Sequence, residues 1–71
     1  MQRLGVYCAE IGEVENAEPV VLTGVEGNKN VVGTQASFTC KASYAMVGDS
    51  IRTCQQDGTW SGTQPRCIGK L

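Results

Sequence analysis

Four cysteines and no histidine set the chemistry open to this 71-residue chain. Cys8, Cys40, Cys54 and Cys67 are separated by 31, 13 and 12 residues. A structural zinc site draws on close pairs such as C-x2-C, which set two thiolates on one tight turn. No close pair exists here, so the cysteines read as a disulfide framework, and the spacing leaves all three pairings of four cysteines open. Without histidine, neither a Ser-His-Asp nor a Cys-His nucleophile can be assembled. A Ser-Lys pair or two carboxylates could be written down, but a chain this short and stapled rarely encloses a cleft of about 300 Å³ or more. The acidic run Glu10, Glu13, Glu15 and Glu18 lacks the Asp/Asn-rich loop that gives calcium its alternating ligands, and it reads as a solvated face. No catalytic residue, metal or cofactor is expected.

Size explains why staples are needed. A chain of 71 residues holds one domain. A domain of that length buries only about 60% of its unfolded surface, too little for an apolar core to hold unaided. Disulfides persist in oxidising compartments, which places the domain outside the cytosol, either secreted or in the ectodomain of a membrane protein. Asp and Glu number 7 against 6 Lys and Arg. The acids crowd the first half and the bases the second, a mixed surface and not a nucleic-acid patch. No apolar run is long enough for membrane insertion, and no Asn-x-Ser/Thr sequon occurs. The residues before Cys8 lack the apolar core of a signal peptide. A cysteine framework without such a signal suggests a piece of a longer secreted chain.

The elements that would position these residues are short strands. Residues 20–22 form a β-branched run closed by Thr23 and Gly24, a strand followed by a turn. Residues 26–30 are the most loop-like stretch, with Gly27 and Asn28 suited to turn geometry. Over residues 35–41, Ala36, Phe38 and Cys40 share one face while Ser37, Thr39 and Lys41 share the other, the clearest half-buried strand. Residues 44–47 are a second candidate, ended by Gly48 and Asp49. Residues 50–55 are a third with awkward parity: if Cys54 points inward so does Arg52, and Ile51 is exposed unless a bulge resets the register. Asp57-Gly58 is a turn dipeptide, and Trp60 after it is the largest core candidate. Between Cys8 and Pro19, Ile11, Val14 and Ala17 recur every third residue, but Gly12 and Pro19 leave too little room for a helix. Four or five short strands with almost no helix are expected.

The cysteine order, Phe38 two residues before the second cysteine, Tyr44 and Gly48 before the third, the run Asp57-Gly58-Thr59-Trp60-Ser61, and Pro65 two residues before the last together resemble the sushi domain, also called the complement control protein module or short consensus repeat. The resemblance covers residues 8–67, with residues 1–7 and 68–71 as flanking linkers. It departs from the family near Cys8, where Ala9 and Glu10 stand in place of a proline. It implies an all-β fold: a small, elongated, disulfide-stapled β-sandwich of short antiparallel strands. It also implies the pairs Cys8 with Cys54 and Cys40 with Cys67, and a core of Trp60, Phe38 and Tyr44.

Such modules occur as beads in secreted and cell-surface mosaic proteins, including complement regulators, adhesion proteins and receptors. The implied function is therefore non-catalytic: a monomeric module that binds extracellular proteins or spaces its neighbouring modules. The alternatives are an accessory module of a secreted serine protease zymogen and a spacer with no partner of its own. The stretch that varies in relatives falls near residues 26–32, which makes Glu26, Asn28 and Lys29 candidate protein-binding residues together with an Ile51-Arg52 face.

Overall fold

The computed structural model describes residues 5–69, so the expected linkers lie outside the described residues at positions 1–4 and 70–71. Among the described residues seven strands follow in order: β1 (Tyr7–Cys8), β2 (Val21–Thr23), β3 (Asn30–Val31), β4 (Gln35–Ser37), β5 (Tyr44–Val47), β6 (Ile51–Thr53) and β7 (Arg66–Gly69). No helix occurs among the described residues. The expected four or five strands become seven because β1 and β3 are only two residues long, too short to leave an alternating pattern, and because the Arg-Cys-Ile-Gly stretch of β7 carries none. The folded part also extends past the outer cysteines, from Tyr7 in β1 to Gly69 in β7.

All pairings are antiparallel and fall into three sheets: β1-β3, β2-β4-β6 and β5-β7. Strand β4 is the centre of the largest. Ala36 on it is fully buried and pairs with Leu22 on one side and Arg52 on the other. The strand expected over residues 35–41 ends at Ser37, yet its periodicity persists: Phe38 is 3% exposed and its N–H donates to the Ser50 carbonyl at 2.8 Å. Cys40 then forms an isolated bridge with Ala17. The segment between Cys8 and β2 has no helix, and Ile11, Val14, Ala17 and Val20 are each half-buried. Every third side chain leans on the body, a three-residue period that the 3.6-residue α-helix does not have.

The bridges lie beyond opposite ends of the β4-β6 pair. Past the Gln35-Thr53 end, Cys54 is joined to Cys8 with Cα atoms 5.8 Å apart. Past the Ser37-Ile51 end, Cys40 is joined to Cys67 with Cα atoms 5.6 Å apart. The bridges span sequence separations of 46 and 27 residues, and in the chain-entropy account each stabilises the fold by about 4 kcal/mol. The core between them is thin: Ala36, Phe38, the cysteines Cys8, Cys54 and Cys67, and the fully buried Thr34 and Pro65. The molecule is correspondingly narrow, with principal extents of 52 × 20 × 13 Å. Gly48 closes the turn from β5 with φ of +110°, and a Cβ there would sit 2.9 Å from the Pro65 Cα. Only glycine fits both the backbone angle and the close approach.

Candidate interaction surfaces

The first candidate surface is the hairpin tip over residues 26–29. The Glu26 and Lys29 backbones exchange hydrogen bonds of 3.1 and 3.0 Å. Gly27 has φ of +61° while Asn28 does not take a positive φ, the pattern of a two-residue type II′ turn with glycine first. Glu26, Asn28 and Lys29 are all exposed. The stretch read as a loop is thus a tight turn whose backbone satisfies itself. Lys29 Nζ lies 4.7 Å from the centroid of the Tyr7 ring, a cation–π contact worth about 0.5–1 kcal/mol at an exposed site.

The second is the outward face of β2-β4-β6. Val21, Ser37 and Ile51 pair across the three strands and form one row. Ile51 is 53% exposed and Val21 58%. The parity problem of residues 50–55 is therefore settled without a bulge: β6 pairs in continuous register with β4, and Ile51 faces out. Val21 was not singled out by its sequence, because one β-branched residue in a β-branched run gives no hint that it lies level with Ile51.

Strand alternation splits the expected Ile51-Arg52 face, since successive side chains point to opposite sides of a sheet. Arg52 turns inward beside Ala36, where its guanidinium serves the chain's own loop. Its Nε donates to the Ser61 carbonyl at 2.7 Å, and Nη1 donates to Gln64 Oε1 at 2.7 Å. Nη2 lies 3.4 Å from both the Trp60 and the Gly62 carbonyls. A planar fork of donors suits such a set of converging carbonyls.

Trp60 and Gln64 extend this arrangement to the segment after Cys8. The Trp60 backbone bridges to Cys54, its ring is half-buried, and its Nε1–H donates to the Ala9 carbonyl at 2.9 Å. Gln64 Nε2 donates to the Gly12 carbonyl at 2.8 Å. Of the expected core residues, Phe38 is buried while Trp60 and Tyr44 are half-buried. Before Trp60, Asp57 folds an Asx turn: Oδ1 accepts the Thr59 hydroxyl at 2.6 Å and the Thr59 N–H at 3.0 Å. These two bonds, the hydroxyl's first, hold the exposed carboxyl below the usual carboxylate range.

The model of the Sushi repeat, or SCR repeat, matches residues 8–67. The chain belongs to the sushi family. Clotting factor C of Tachypleus tridentatus is 37% identical over 65 residues, covering 89% of this chain and 6% of that protein. Inactive serine protease PAMR1 of Homo sapiens is 41% identical over 64 residues, covering 86% and 9%. Sushi domain-containing protein 2 of Homo sapiens is 35% identical over 63 residues, covering 76% and 8%. The chain thus spans 6% to 9% of the length of these relatives. In this sushi module Gly48, Trp60 and Pro65, all part of the sequence resemblance, meet the physical needs of a narrow body: a close turn, a cross-segment hydrogen bond and a buried ring.

Proposed function

We propose that this sushi module is a non-catalytic recognition unit of a larger extracellular protein, presenting the residue 26–29 tip and the outward Val21-Ser37-Ile51 row to a protein partner. One observation carries the reading: the disulfides beyond both ends of the central strand pair order the exposed surface before any partner arrives. That lowers the ordering cost paid on binding. Glu26, Asn28, Lys29 and Ile51 make the contacts, while Arg52 supports the frame from inside. The extracellular setting rests on the two disulfides.

The test presents the chain, multimerised to raise avidity, to a panel of secreted and cell-surface ectodomains. At least one binds, and Ile51→Glu or a paired Glu26→Lys and Lys29→Glu change weakens it by roughly ten-fold or more. Binding to none, or binding that ignores all of these changes, leaves a spacer. A second reading is favoured by the relatives named a clotting factor and an inactive serine protease: an accessory module beside a protease-type domain. The coding sequence around this chain separates the two, because a trypsin-like domain in the same reading frame supports the second and a run of similar modules the first.

A further inference from the structure

Among the described residues strand β7 has one sheet neighbour, β5. Among the described residues no backbone hydrogen bond joins β7 to any other segment. In an antiparallel pair only alternate residues turn their N–H and C=O groups toward the partner, so β7 presents the remaining groups on its other side. Against that side lies a groove of about 440 Å³. Residues 64–69 form one wall and residues 13–15 the other. All four β7 residues line it and no β5 residue does. A groove over the face of the sheet would meet alternate side chains of both strands, so this one runs along the free edge.

The far wall selects the occupant. It carries the exposed carboxylates of Glu13 and Glu15 on either side of half-buried Val14. Glu13 is fixed in place by accepting the Val20 N–H at 3.2 Å. Exposed Ile68 adds apolar surface on the near wall, and Arg66 supplies the one positive charge among the lining residues.

We propose that the groove takes an extended, basic segment of a protein partner as an added strand on β7. Its backbone pairs with the edge, its basic side chains face Glu13 and Glu15, and a neutral or acidic residue lies beside Arg66. Four residues of β7 accept a partner stretch of about 13 Å. Neither the 26–29 tip nor Ile51 lines the groove, so the two sites stand or fall separately.

The test titrates the isotope-labelled chain, disulfides intact, with a capped six-residue peptide alternating lysine and valine. Amide shifts and slowed hydrogen exchange are expected in β7, with shifts at residues 13–15. One of two peptides N-methylated on alternate backbone nitrogens loses roughly ten-fold or more in affinity, because added-strand binding rests on main-chain hydrogen bonds. A peptide with glutamate for lysine loses a similar factor. Glu13→Gln with Glu15→Gln, which keeps the acceptor for Val20, weakens the lysine peptide about five-fold, and Ile51→Glu leaves it unchanged. The proposal is overturned if shifts gather at residues 26–29, if both N-methylated peptides bind as well as the parent, or if β7 is silent at peptide concentrations above about 1 mM.

Discussion

Replacing Arg52 by methionine separates its inward role from an outward one. The substitution keeps an apolar stem beside Ala36 and removes the guanidinium. Lost are two short hydrogen bonds of 2.7 Å, to the Ser61 carbonyl and Gln64 Oε1, and two longer contacts of 3.4 Å to the Trp60 and Gly62 carbonyls. A hydrogen bond to a charged group contributes about 1.5–3 kcal/mol. The bonds to Gln64 and Gly62 lie on the exposed side, where water replaces them at little cost. The Ser61 bond counts nearly in full and the others in part, which gives a loss of about 2–3 kcal/mol. For a domain this small, guanidinium chloride unfolding has a slope of about 2–3 kcal/mol per molar, so the midpoint falls by about 1 M with the disulfides intact. Arg52→Lys recovers little, because one ammonium cannot span the converging carbonyls. Arg66→Met, at an exposed position, serves as the control and stays within about 0.5 kcal/mol of the parent. An Arg52→Met midpoint equal to that control would refute the reasoning and return the guanidinium to the list of groups free for a partner.

Gly48→Ala forces a Cβ to 2.9 Å from the Pro65 Cα at a φ of +110° and should cost about 2–4 kcal/mol by the same unfolding assay; Gly12→Ala, with nothing within 4 Å of the added carbon, should be nearly silent. Trp60→Phe removes the Nε1–H that holds the Ala9 carbonyl and should cost about 1 kcal/mol, with faster hydrogen exchange along residues 9–12. The Asp57 carboxyl is held below its ordinary range by Thr59, so its contribution is present above the unfolded value near pH 4 and is lost as pH falls through the lowered folded value. In midpoints measured from pH 6 to pH 2, the parent should lose its advantage over Asp57→Asn only in that acid window; a constant difference across the range would contradict the Asx-turn assignment.

The parts legible in the sequence are those governed by local pattern. Ala36 and Phe38 alternate with polar neighbours, and the structure buries both. Gly27 sits where a tight turn needs it. The parity of residues 50–55 posed its question correctly, and only the pairing register with β4 could answer it. Strands β1 and β3 were invisible because a two-residue strand has no period. Strand β7 escaped because a stretch of Arg, Cys, Ile and Gly advertises nothing. The inward role of Arg52 depends on where the 60–64 loop comes to rest, 8 to 12 residues further along the chain, and a lone arginine in a strand carries no sign of that. The free edge of β7 is likewise a property of assembly: its groove is walled by residues some fifty positions away.

The hairpin tip has a consequence for how this surface can change over generations. Its turn is closed by backbone atoms of Glu26 and Lys29, and among the described residues the contact its side chains make is that of Lys29 with Tyr7. Substitutions of Glu26 or Asn28 alter the exposed surface while leaving the strands and both bridges untouched, whereas Gly27 is held by its φ of +61°. On the proposed reading, partners could be gained or lost at the tip with little risk to the fold, whereas the same drift at Gly48 or Arg52 would weaken the fold itself.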